Sequence, residues 1–211
     1  MKKIILFLFV FTSALISKAQ DSFDPDELLM EARTLILDGK YNEGRKIAFR
    51  ALSQYPNYAD ILILVGRSYA WEGKNDSASV YLERAIVASP KYSDGYVAYL
   101  DNLFWADDLT KADEILQRAK SNLGTPTPDP IVYRESRLFY YREEYDEAYE
   151  LVKPLFDKGY NQEGMLNYLS NLNRLRQAVA VGATYDYDSF KGAIDAWHTW
   201  SLYGRTRTKL T

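Results

Sequence analysis

The sequence predicts an all-α fold, a solenoid of helix-turn-helix units, followed by a short β segment, and three observations carry that expectation. Residue types recur every 34 positions, as Pro56 and Pro90, as Ala51, Ala85 and Ala119, and as Ala78 and Ala112. Cap and turn residues fall where two short helices per period would need them. Asp24-Pro25-Asp26-Glu27 reads as an N-cap, a proline at the first helical position and a Glu able to reach back to the cap. Gly39 and Gly73 suit the turn between the two helices of a unit, after which Tyr41 and Asn42 open the next helix. Beyond Gln177 the hydrophobic period changes from helical to two. A unit of two short helices cannot bury its apolar face alone, so such units stack into a curved scaffold whose usual output is binding. A generic antiparallel helical protein would share the helices but not the period.

Residues 1–19 read as a secretory signal peptide. Lys2-Lys3 precedes an apolar run over residues 4–16, and Ser17-Lys18-Ala19 supplies small residues for cleavage before Gln20. The run has 13 residues, short of the ~20 that span a bilayer as a helix, so an uncleaved anchor is the weaker reading. With no cysteine, acylation at the cleavage site, disulfides and thiolate metal sites are all excluded, and the fold must stand on packing. These features suggest a bacterial envelope protein, in which the glycosylation pattern Asn75-Asp76-Ser77 would mean little. The 211-residue chain is 47% hydrophobic, enough to bury a core, and its net charge of −3 argues against a broad nucleic-acid footprint. Its excess is aromatic, with 18 Tyr, 9 Phe and 4 Trp concentrated in the later helices and the tail.

Residues 24–160 hold about four units. The clearest runs from residue 59 to 90 and carries Leu62, Val65-Gly66, Tyr69, Ala78, Leu82, Ala85 and Pro90. Small residues there let the two helices approach, and large ones fill the space between units. The unit before it supplies Leu28, Ala32, Leu35, Gly44, Ala48, Ala51 and Pro56; the unit after it supplies Tyr96, Leu103, Ala112, Leu116 and Ala119, with Leu100 in the small-residue place. A looser fourth copy has Val132, Ser136, Phe139, Ala148, Val152 and Leu155, displaced by a two-residue slip. The slip falls on Pro126, Pro128 and Pro130, which exclude helix interior and lengthen the turn. In period and pattern this region resembles the tetratricopeptide repeat (TPR) family, with Leu62 where Trp is usual.

The resemblance implies a groove lined chiefly by the first helix of each unit. In that register one ladder reads Arg33, Arg67, Asp101 and Arg137, and a second reads Leu37, Trp71, Trp105 and Tyr141. Arg beside Trp or Tyr can hold a carboxylate, stack on a sugar or make a cation–π contact, so a peptide, an acidic tail and a polysaccharide are all chemically admissible. Packing of Trp71 and Trp105 against neighbouring helices is an equal reading. Asp26, Asp60 and Asp94 occupy a rung that carries Lys or Asn in the carboxylate-clamp subfamily, which argues against that mode.

Catalytic patterns are absent: there is no phosphate-cradling glycine loop, zinc-protease helix or nucleophile elbow. No cofactor, metal or catalytic residue is expected. The single histidine, His198, suits a packing role. Asp186-Tyr187-Asp188 has the spacing of an acidic glycosyltransferase motif without the nucleotide-binding surroundings, and Asp107-Asp108 and Glu143-Glu144 fit solvated turns and helix starts.

Residues 161–177 form a capping helix or linker, with a helix expected over residues 163–176. In residues 178–211, Val179, Val181, Ala183, Tyr185 and Tyr187 alternate with small and acidic residues. From Trp197, the residues His198, Trp200, Leu202, Gly204 and Thr206 alternate with Thr199, Ser201, Tyr203, Arg205 and Arg207. Lys191-Gly192 is a plausible turn between them. Transmembrane β-barrel strands have this alternation, and so does a soluble amphipathic hairpin. Val181-Gly182, Tyr185-Asp186-Tyr187, Trp197-His198 and Tyr203-Gly204-Arg205 resemble the opening strands of the YaiO-type outer-membrane β-barrel family, with Ala196 where that pattern tends to have Pro. Two strands cannot close a barrel, so the resemblance implies a chain that stops within or just after its second strand.

The expected function is a non-enzymatic protein–protein interaction or scaffold module, exported, with the TPR region in the periplasm and the tail beginning an outer-membrane barrel. Two alternatives stand beside it. One is a polysaccharide-export component in which Asp186, Arg205 and Arg207 line a conduit; the other is a soluble periplasmic adaptor.

Overall fold

A computed structural model of the chain describes residues 24–160 and 164–177, together with the backbone of residues 180–186 and 199–205. Apart from the two strands, the described residues form an all-α helical-repeat solenoid of nine helices. Four antiparallel pairs follow one another: α1 Pro25–Leu37 with α2 Tyr41–Gln54, α3 Ala59–Trp71 with α4 Asn75–Ala88, α5 Ser93–Trp105 with α6 Leu109–Leu123, and α7 Asp129–Tyr141 with α8 Tyr145–Asp157. A last helix, α9 Met165–Gln177, packs on α8. The helices α1, α3, α5 and α7 adjoin in succession and make one layer, while each even-numbered helix bridges to the next pair.

The slot that brings the two helices of a pair together is occupied in turn by Ala32, Gly66, Leu100 and Ser136, all buried. Facing them are Gly44, Ala78, Ala112 and Ala148, also buried. Contact is tightest at the glycines. A Cβ on Gly66 would lie 2.5 Å from Leu82 Cγ, and one on Gly44 would lie 2.5 Å from Ile36 Cγ1 and 2.8 Å from the Ala32 carbonyl oxygen. Leu100 departs from the small-residue pattern yet is fully buried, so the third pair accommodates a large side chain where the second admits none. One apolar core runs from Leu28 to Leu138. A second, centred on Tyr133, Val152, Met165 and Leu172, joins α7, α8 and α9.

Each turn within a pair contains one left-handed residue, at φ 79° for Gly39, 74° for Gly73, 57° for Asp107 and 61° for Glu143. Glycine takes this conformation at no steric cost, so the third and fourth turns carry strain that the first two lack. Helix starts follow local rules in part. Asp24 accepts a hydrogen bond from the Asp26 backbone N–H at 2.9 Å, but Glu27 does not reach back to the cap. Asp108, explained in the sequence by solvation and the helix dipole at a helix start, accepts from the Lys111 N–H at 2.9 Å and caps α6. Pro130 sits in the first turn of α7, where its missing N–H costs nothing, whereas Pro154 lies inside α8.

The strands β1 Ala180–Asp186 and β2 Thr199–Arg205 pair antiparallel, and their register sets Val181 opposite Gly204, Ala183 opposite Leu202 and Tyr185 opposite Trp200. These are members of the two apolar sets read from the sequence. The signal peptide, the Lys191-Gly192 turn, Tyr187-Asp188, Trp197-His198 and Thr206-Arg207 lie outside the described residues. None of the described helices is long and apolar enough to cross a membrane.

Candidate binding face on the odd-numbered helices

The helices α1, α3, α5 and α7 each have 13 residues. The two ladders occupy the same places in all four: Arg33, Arg67, Asp101 and Arg137 stand ninth, and Leu37, Trp71, Trp105 and Tyr141 stand last. Ninth and thirteenth positions are four apart, so each pair of rungs shares a helix face. Four large apolar side chains thus recur at one end of the odd-helix layer, and all four remain open to solvent: Leu37 is 67% exposed, Trp71 41%, Trp105 52% and Tyr141 39%. Among the described residues neither indole has a ring partner, and neither Arg33 nor Arg67 has an ion pair or hydrogen bond.

The structure brings only the third and fourth rungs together. Arg134, buried on α7 and not singled out in the sequence, grips the Asp101 carboxylate with Nε at 3.2 Å and Nη2 at 2.9 Å. Arg137 Nη1 also lies 3.5 Å from Asp101, while its Nη2 donates to the Tyr141 hydroxyl at 2.9 Å. The guanidinium of Arg137 lies over the rings of Phe104 and Tyr141, whose centroids are 5.3 Å apart. Asp101 is therefore committed to holding α7 against α5, and the cationic and aromatic rungs are what the face can offer a ligand.

The acidic rung has internal partners as well. The Tyr58 hydroxyl donates to Asp26, and the Tyr92 hydroxyl donates to Asp60 at 2.7 Å. Hydrogen bonding to Asp26, with burial adding to it, pushes the Tyr58 phenol up to about 12; the bond to Asp60 and burial likewise raise Tyr92. Tyr58 and Tyr92 are themselves 34 apart, so a repeated tyrosine ties each of the first two units to the next. That period was present in the sequence and could have revealed the link.

A further lock was not legible. Arg45 on α2 is only 3% exposed, and its Nη1 lies 2.6 Å from Glu72 Oε2 in the turn after α3. It also donates to Asn42 Oδ1 at 2.6 Å and Ser68 Oγ at 3.2 Å, and its guanidinium sits 4.2 Å from the centroid of the Tyr69 ring. This contact holds the Glu72 carboxyl below the ordinary glutamate range. One period on the pair is absent, and one further on it returns inverted as Asp113 and Arg142, 2.8 Å apart. Among the described residues no three His, Cys, Asp or Glu side chains come together as a metal site requires.

This geometry defines a TPR-like helical-repeat solenoid. No protein-family model matches the chain, and no curated protein matches its sequence. Solved structures share the fold. A structure from the functional characterization of Pseudomonas aeruginosa pilF superposes with a TM-score of 0.64 at 14% identity, covering 74% of this chain and 70% of that one. A tetratricopeptide repeat protein from Parabacteroides merdae gives 0.63 at 14% identity and covers 80% of this chain, which spans 65% of that protein's chain. A TPR protein of Thermus thermophilus gives 0.60 at 17% identity, covering 79% of this chain and 89% of the other. Similarity at these identities concerns the fold.

Proposed function

We propose that the chain is a non-catalytic protein–protein interaction module that captures a peptide or protein segment on the face formed by α1, α3, α5 and α7. The observation that carries this reading is the recurrence of exposed Leu37, Trp71, Trp105 and Tyr141 at one position in four successive repeats. Core packing would have buried such side chains, and exposed aromatics beside arginine are the residue types that dominate interface energies. Arg33, Arg67 and Arg137 favour a ligand with acidic groups near its apolar anchors. Polysaccharide stacking on the same aromatics is the alternative reading.

In the same proposal the module is exported and held at the bacterial outer membrane by a barrel that begins at β1. Support comes from the signal-peptide pattern, the alternation in the tail, its resemblance to YaiO-type barrels, and the pairing of the two apolar sets in register. Polysaccharide export and a soluble periplasmic adaptor are the competing placements. Reading the coding sequence past the codon for Thr211 separates them: further alternating strands support a barrel, and an immediate stop supports the adaptor.

The binding claim is tested by panning a displayed random-peptide library on the full chain and titrating the enriched peptides while following tryptophan emission. The expected result is a saturable change that vanishes in W71F/W105F, which keeps Trp197 and Trp200. A change that survives in that variant removes the groove assignment.

A further inference from the structure

The four rungs of the odd-helix face are alike in position but differ in what they leave free. On α1 and α3, Arg33 and Arg67 have no ion pair or hydrogen bond among the described residues. On α5 the charge changes sign, and Asp101 is held by Arg134 of α7. On α7, Arg137 is committed within the chain: it donates to the Tyr141 hydroxyl, faces Asp101 and lies over the rings of Phe104 and Tyr141. The aromatic row divides too. Neither Trp71 nor Trp105 has a ring partner among the described residues, whereas the Tyr141 ring meets Phe104 at 5.3 Å and Tyr140 at 6.0 Å between centroids. The unengaged cations therefore lie on α1 and α3, and the unengaged indoles on α3 and α5.

A second row of charge limits the path a ligand can take. Asp26, Asp60 and Asp94 stand second on α1, α3 and α5, on the same helix faces as the ninth residues and about 10 Å nearer the helix starts. Three carboxylates there oppose an acidic chain and keep it at the other end of the helices, between the arginine row and the aromatic row. Glu72, the carboxylate next to Trp71, is already paired with Arg45 at 2.6 Å and Lys74 at 3.3 Å. Packed helices lie ~8–10 Å apart and an extended chain advances ~3.3 Å per residue, so one rung corresponds to about three ligand residues.

We propose that the ligand of this face is an extended peptide with two unlike halves. Its acidic half sets two carboxylates, about three residues apart, against Arg33 and Arg67; its apolar half sets two large side chains, spaced likewise, against Trp71 and Trp105. The proposal rests on the peptide-capturing reading above and adds to it the order and spacing of the halves. They meet at α3, where Arg67 and Trp71 are four residues apart on one face. The fourth rung, whose arginine and tyrosine hold each other, contributes shape rather than charge.

The test pans one displayed random-peptide library in parallel on the full chain and on R33E/R67E, which alters only side chains without internal partners. The wild-type chain should enrich peptides with a pair of Asp or Glu on one side of a pair of large apolar residues. R33E/R67E should enrich Lys or Arg in the first half and keep the apolar half. In synthetic copies of the wild-type-selected peptides, changing the acidic pair to Gln should weaken binding to the wild-type chain about tenfold at low salt and have no effect on binding to R33A/R67A. Selected peptides that lose affinity for W71A/W105A yet carry no acidic half, or enrichment of the same peptides by R33E/R67E, overturn the two-part ligand and leave the binding face standing. Failure to enrich any peptide, or equal affinity of the selected peptides for W71A/W105A and the wild-type chain, overturns both.

Discussion

At the scale of single residues, the repeat junctions depend on polar contacts as well as apolar ones. Arg45 is buried, so deleting its partner strands a charge: Glu72→Ala should cost roughly 3 kcal/mol at pH 7 in urea denaturation. The sign of the pH dependence follows from the lowered Glu72 carboxyl. Its contribution is complete above the ordinary glutamate pKa of about 4.3 and is lost as pH falls through the depressed folded value. The gap between wild type and Glu72→Ala should therefore shrink from pH 6 to pH 3, and a constant gap would mean that packing, not charge, holds the junction. Asp107 offers the opposite test. At φ 57° it occupies the place that Gly39 and Gly73 fill in earlier repeats, so Asp107→Gly should raise stability by about 0.5 kcal/mol in the same assay. The repeat register made the exposed rungs legible, but it could not reveal Arg134 or Arg45, whose partners lie one repeat away and do not recur in the same residue types.

At the scale of elements, the tight approach of paired helices was readable because small residues in one slot carry a direct steric meaning. Gly66→Ala would set a methyl 2.5 Å from Leu82 Cγ, and the resulting overpacking should cost roughly 1–3 kcal/mol by denaturant titration. A neutral result would show that α3 and α4 can accommodate a larger side chain in this slot, as the third pair accommodates Leu100. Helix boundaries were legible where proline opens the first turn, as at Pro25, and where glycine turns the chain, whereas Pro130, read as part of the lengthened turn, lies in the first turn of α7. The proline rule failed at Pro154, where α8 runs on and the Lys158 N–H donates to the Pro154 carbonyl at 3.2 Å. The aromatic excess also found its place: Tyr168 of α9 meets Tyr133 and Tyr140 of α7 edge-on, and the half-buried Tyr168 hydroxyl donates to the Ser136 carbonyl at 2.9 Å.

At the scale of the whole molecule, the layer of odd-numbered helices turns four weak local features into one surface. A single exposed tryptophan says little, whereas exposed large side chains at the ends of four aligned helices would offer the proposed ligand several anchors at a repeat spacing. The rungs were read in the register that the TPR resemblance implies, and they align because ninth and thirteenth residues of equal helices recur at one place. What the period could not show is which rungs are already engaged: Asp101 belongs to the scaffold, while Arg67, Trp71 and Trp105 remain open. The most direct measurement compares the affinity of library-selected peptides for the wild-type chain, for R67A/W71A/W105A, and for a control with Val80 and Val87, exposed apolar residues of α4 outside the ladders, changed to alanine. Binding through the odd-helix face predicts a loss of about a hundredfold or more in the first variant, as removal of two interface anchors entails, and none in the control. Equal affinity for the wild type and R67A/W71A/W105A would contradict it.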